Sequence, residues 1–334
     1  MKEEENYLGF NIFLTIIGLS AYNIKTYYTL YKDFNNNKEI TILEPKQLIT
    51  NLTKNDKKRL KTIKLGKDIV LFKENIESNI NREYLNNMYN NLKTIKTKEK
   101  IFFLKYLLLY MVGGTYSAKK NLIKINKFLK DRVLNHELLH SASTYYDEEN
   151  DYAYVGFCQY NYKTKNYIGR ALNEGYTELL TSRYFEYSNT CAYSYKVSKF
   201  FASQLETIIG QEKMEEAYFK ADLNMIIKEL EQYDTRENII SFIKSLDFIL
   251  KHLNTKKSIL LNNKIKNYSN NCITLSLENV QYHLIKWYIK KLQKDLNDNL
   301  ITKKQFKMYL KNYSFYIKKH EILEKISKKK IKIN

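Results

Sequence analysis

Residues 131–146 read DRVLNHELLHSASTYY. Val133, Leu134, Leu138 and Ala142 recur every three to four residues, the spacing of one buried helix face; Asp131 stands as N-cap, and the helix is expected to run to about Tyr146. On such a helix His136 and His140 lie one turn apart on the same side. Two imidazoles so placed reach a single ion, and Glu137, next to the first, is positioned to take a proton from water bound there. The chain has five histidines, and after His140 none occurs until His252. Two of a scarce residue type therefore fall at ligand spacing.

A catalytic zinc site takes three protein ligands, so a third must come from elsewhere. A metzincin continuation is excluded, because Ser143 and Tyr146 occupy the positions of its glycine and third histidine. The segment Leu172–Thr181, LNEGYTELLT, offers Glu174 and Glu178 one helical turn apart. Neighbouring carboxylates repel unless positive charge lies between them. A metal with its histidines supplies that charge, with Glu174 as ligand and Glu178 accepting the second ring N–H of a ligand histidine. The acidic run Asp147, Glu148, Glu149 and Asp151 is a rival source of the third ligand.

HELLH followed by NEGYTE, with 33 residues between His140 and Glu174, resembles the gluzincin pattern, HExxH then NExxxD/E, of thermolysin-like peptidases. The resemblance covers residues 121–186. It implies zinc-dependent peptide-bond hydrolysis, Zn2+ as cofactor, a peptide or protein substrate, Glu174 as ligand, and Asn173 and Glu178 as supports of the ligands. It also implies a zincin-like core in which the edge strand of a small sheet lies over two active-site helices and binds extended peptide, a role that falls to residues 121–126. The family's distant catalytic histidine has no counterpart here. A tyrosine phenol can replace such a donor. Tyr145, Tyr146, Tyr152, Tyr154, Tyr160, Tyr162, Tyr167 and Tyr176 are all near the motifs, and spacing singles out none of them.

Outward from the motif, Gly113 and Gly114 break the helical pattern and Asn121–Asn126 alternates as a strand. Helical spacing marks 76–91 and 100–111 on the N-terminal side, with a polar, Pro45-interrupted stretch from 35 to 67 before them. On the other side it marks 171–186, 197–209, 212–233, 237–253, 277–296 and 302–318, with Asn-rich 262–272 as a linker. With one proline and nine glycines, the fold class is α+β and predominantly helical. The reading divides the chain into an N-terminal helical region (1–112), a zincin-like core with following helices (113–260) and a basic C-terminal helical region (273–334).

Composition sets the remaining expectations. At 334 residues with 44% hydrophobic content the chain fills a real core, which argues against disorder throughout. Cys158, Cys191 and Cys272 are too far apart and too few for a disulfide framework or a thiolate cage, which suits a reducing, cytoplasmic compartment. The net charge is +20, of which residues 251–334 carry +15 through 20 lysines and five acids. That segment gives the alternative reading, a peptidase-like binding or regulatory protein holding nucleic acid or an acidic partner. Against it, only six of the 56 basic residues are arginine. The apolar stretch 7–22 follows an acidic opening, contains Asn11 and is shorter than a bilayer span. It reads as a buried first helix, with membrane association as the other reading.

Overall fold

The computed structural model describes residues 20–35, 41–45, 52–100, 113–185, 193–253 and 263–319. The protein is predominantly helical, with two small sheets. Helix α1 covers residues 20–34, and α2 (Lys54–Thr62), α3 (Gly66–Asn79) and α4 (Asn86–Thr94) follow. Strands β1 (Lys96–Lys100), β2 (Gly114–Ser117) and β3 (Leu122–Asn126) form the first sheet in the order β1-β3-β2, with β3 parallel to β1 and antiparallel to β2. Helix α5 (Lys130–Ala142) carries HELLH. The second sheet is the antiparallel meander β4 (Thr144–Asp147), β5 (Tyr152–Val155), β6 (Cys158–Asn161) and β7 (Asn166–Ile168). It leads into α6 (Arg170–Tyr184), the NEGYTE helix. Then come α7 (Tyr193–Ile209), α8 (Gln211–Phe219), α9 (Leu223–Glu231), α10 (Arg236–His252), α11 (Asn263–Asn297) and α12 (Lys303–Lys319).

One apolar core draws on almost all of these elements, from Leu30 of α1 through Leu139 of α5 and Leu180 of α6 to Trp287 of α11. Among the described residues no helix is long and apolar enough to cross a membrane. The helices expected over 7–22 and 100–111 lie mostly outside the described residues.

Several boundaries differ from the sequence reading for local reasons. Helix α5 starts after Leu129, so Asp131 sits in its first turn near the positive end of the dipole rather than capping it. It stops at Ala142, four residues short, where the Ser143 and Thr144 hydroxyls donate to the carbonyls of Leu139 and His140. Tyr145 and Tyr146 then pair in β4 with Tyr154 and Ala153. The helix expected over 76–91 is split by extended Ile80 and a short 3-10 turn capped by Asn81. The one expected over 212–233 breaks at Ala221, in the left-handed region at φ 58°, after which Asp222 accepts the Asn224 N–H and starts α9. Of the linker expected over 262–272, the described part is helix, because α11 runs unbroken from Asn263. Ile265, Ser269, Cys272 and Ile273 are buried at helical spacing, so core contacts outweigh the poor helix propensity of the asparagines.

Strand β3 is also corrected. It lies in the middle of its sheet, with Ile123 and Ile125 buried, and the outer strand against α5 is β2. Two rows of backbone pairs occupy β3, which leaves β2 as the described strand with an edge to offer on that side.

Gly175 fixes how α6 meets α7. A Cβ built there would lie 2.3 Å from the carbonyl oxygen of Ser198 and 2.4 Å from its carbon, a backbone clash that no rotamer relieves. Helix propensity favours Ala by about 1 kcal/mol, but separating two packed backbones costs about 1–3 kcal/mol. Gly175→Ala is therefore expected to destabilise the protein despite the better helix former. Urea unfolding checks this, and a raised midpoint would contradict it.

Candidate metal centre

Helices α5 and α6 bring their polar residues together inside the core. His136, Glu137 and His140 are buried, and the Glu174 side chain is 12% exposed. Nε2 of His136 and Nε2 of His140 are 3.1 Å apart, and Glu174 Oε2 lies 3.2 Å from the first and 3.4 Å from the second. Among the described residues these three form the one group able to hold a metal ion. Donors at zinc bond lengths of about 2.0–2.2 Å on a tetrahedron stand about 3.3–3.6 Å apart. The observed distances of 3.1, 3.2 and 3.4 Å come within about 0.2 Å of that spacing, and two imidazoles with a carboxylate suit a divalent zinc-like ion.

The charges point the same way. Burial disfavours a proton on His136, yet the carboxylates of Glu174 and Glu178 outweigh it and push the imidazole up to about 10. Burial would likewise raise Glu174, but His140 and His136 hold its carboxyl well below the ordinary range. The pocket thus demands positive charge at its centre.

The supports come from α6. Glu178 Oε2 lies 3.4 Å from Nδ1 of His136, at ion-pair distance without in-line hydrogen-bond geometry. Asn173 places its amide 3.3 Å from Nδ1 of His140, and its Oδ1 accepts the Phe157 N–H at 3.3 Å. Both rings face the centre with Nε2 and face α6 with Nδ1. The start of α6 is held from α10, where Asp247 accepts the Gly169 N–H at 2.8 Å and the Ala171 N–H at 2.7 Å. This is an N-cap supplied by another helix.

Burial pushes the Asp247 carboxyl from 3.8 up to about 7, against those N–H groups and Arg170. A carboxyl whose folded pKa is raised binds more protons folded than unfolded. Its contribution to stability therefore falls as pH rises from about 4 to 7 and is level above that. Asp247→Asn is expected to remove this slope. Unfolding midpoints of both proteins from pH 4.5 to 7.5 measure it, and parallel curves would exclude the effect.

Glu137 faces β2. Its carboxylate accepts the Tyr116 N–H, and burial pushes its pKa up while His136 and His140 oppose the rise. Gly114 makes room for it, since a Cβ there would lie 2.7 Å from Glu137 Cγ and 2.8 Å from Oε1.

Other assignments are redistributed. The rival acid Asp151 is engaged by Lys119 and by the Tyr146 hydroxyl, and Asp147 binds Asn150. Of the eight tyrosines near the motifs, Tyr145, Tyr152 and Tyr154 pack around Ala221, and Tyr176 donates to Glu206. The tyrosine at the centre is Tyr195 of α7. Its ring stacks on His136 at 5.7 Å and 4°, and its hydroxyl hydrogen-bonds Glu174. Spacing gave no sign of it, because it arrives from a separate helix. Arg170 was also missed, although it stands one turn before Glu174 and its Nε is 4.0 Å from Glu174 Oε1.

No protein-family model matches the chain, and no curated protein or solved structure matches it either.

Proposed function

We propose that this chain is a zinc-dependent peptidase with a zincin-like core, in which His136, His140 and Glu174 hold the ion and Glu137 is the general base. The observation that carries this reading is the triangle of donor atoms at 3.1, 3.2 and 3.4 Å, with a buried carboxylate beside it. Zinc bound there supplies a Lewis acid for the peptide carbonyl and a water acidic enough to be deprotonated near neutral pH.

The chain's own groups do the rest. Glu137 accepts the proton of the attacking water and delivers it to the leaving amine. The Tyr116 N–H and the close wall at Gly114 hold that carboxylate in place. Glu178 and Asn173 orient the two imidazoles. The edge of β2 pairs with an extended substrate backbone. Tyr195, whose ring stacks on His136, turns its hydroxyl from Glu174 to the developing oxyanion.

The direct test combines metal analysis with hydrolysis. Protein equilibrated with zinc and then desalted is expected to retain one ion per chain and to cleave unfolded casein; 1,10-phenanthroline should stop cleavage and added zinc restore it. Retention of no metal would sink the reading. In the same assay Tyr195→Phe is expected to lower kcat by about 10²-fold with zinc content unchanged. An unaltered kcat would remove Tyr195 from the mechanism.

A further inference from the structure

The arginines of this chain are few, and where they are paired they use the guanidinium fork on internal acceptors. Arg59 donates to the carbonyls of Leu92 and Ile95. Arg183 binds Glu206 and Glu215, and Arg236 binds Glu231 and Asn224. Fifty of the 56 basic residues are lysine, and three of the six arginines serve as planar, two-handed donors inside the fold.

Arg170 differs from these three. Its side chain makes no hydrogen bond among the described residues, and its one ion pair there is the 4.0 Å approach of Nε to Glu174 Oε1, so neither terminal nitrogen has an acceptor among those residues. The side chain is 53% exposed and stands beside the metal centre. The guanidinium lies over the Tyr167 ring at 5.8 Å, a contact that holds its plane. Glu174, whose own charge is directed to His136 and His140, does not satisfy it.

We infer that Arg170 is a specificity residue that binds a carboxylate of the substrate, an acidic side chain or a free C-terminus next to the scissile bond. This rests on the peptidase reading above. One extended residue spans about 3.3–3.6 Å. With its Nε 4.0 Å from Glu174 Oε1, the guanidinium has within reach a group one residue from the bond at the metal. The fork matches a carboxylate bidentately, which adds geometric specificity to the charge. A lysine or arginine at the same substrate position meets Arg170 and is repelled.

The test uses the full-length, zinc-loaded protein and a fluorogenic peptide library varied at the residues on either side of the cleaved bond, with free and amidated C-termini. Peptides with a carboxylate at one of these positions are expected to be cleaved with kcat/KM about 10- to 100-fold above their Gln or amide counterparts. Arg170→Gln should erase that ratio while leaving cleavage of the neutral peptides and the affinity for zinc, read by competition with a chelating dye, within a few-fold. Arg170→Lys should restore only part of it, because the charge returns without the fork. Binding is read separately on Glu137→Gln protein, which is expected to hold the best acidic peptide more tightly than its Gln counterpart only while Arg170 is present. No cleavage of any peptide would overturn the peptidase reading. Cleavage without acidic preference, a preference that survives Arg170→Gln, or loss of zinc in that variant would overturn this inference alone; the last would make Arg170 a support of Glu174.

Discussion

Glu137→Gln is expected to leave one zinc ion per chain and to slow peptide hydrolysis by about 10²- to 10⁴-fold, the range contributed by a positioned general base. The variant isolates proton transfer from structure. Gln has the shape of the neutral acid, and its amide oxygen still accepts the Tyr116 N–H that the carboxylate accepts now. The site is buried, so loss of the negative charge also removes a desolvation cost, and the fold should not weaken. Single-turnover cleavage and metal content are measured on the same sample. Activity within a few-fold of the parent would assign the base elsewhere. Loss of metal would mean that Glu137 is a ligand rather than a base.

Glu174→Ala should act on the other half of the site. Supporting residues of metal sites typically contribute about 10- to 100-fold in affinity, and a direct ligand contributes more. Zinc affinity is therefore expected to fall by more than about 100-fold, and hydrolysis with it. The loss also reaches stability, because an ion present at about 1,000 times its Kd adds about 4 kcal/mol to the folded state. Melting with and without zinc should show a metal-dependent rise in the parent and almost none in the variant. Equal rises would show that another acid completes the site, and the donor triangle would lose its meaning.

Much of the centre was legible before any coordinates. His136 and His140 at four-residue spacing must share a side if the segment is helical, and the apolar positions 133, 134, 138 and 142 require a helix there. Glu174 and Glu178 are related by the same rule, and the structure places both against His136. The strand at 122–126 and most of the C-terminal helices were readable for the same reason: each is a local period written into contiguous residues.

The failures share an opposite cause. The linker expected over 262–272 is helix from Asn263 on because Ile265, Cys272 and Ile273 find a core to enter, which composition alone does not reveal. The meander from Thr144 to Ile168 was missed because its tyrosines pair across strands rather than repeat along one. The edge beside the centre is β2 rather than β3, since strand order depends on partners distant in the chain.

The sequence by itself determined which residues have the chemistry of a metal site and which of them share a helix face, because the geometry of a helix turns spacing directly into direction. Only the tertiary structure decided that α5 and α6 approach closely enough for three donor atoms to stand 3.1–3.4 Å apart, and that Tyr195, Arg170, Gly114 and Asp247 surround them. Those neighbours come from four separate elements. Their meeting follows from how the whole core packs, including the backbone contact that Gly175 permits, and no local period encodes it.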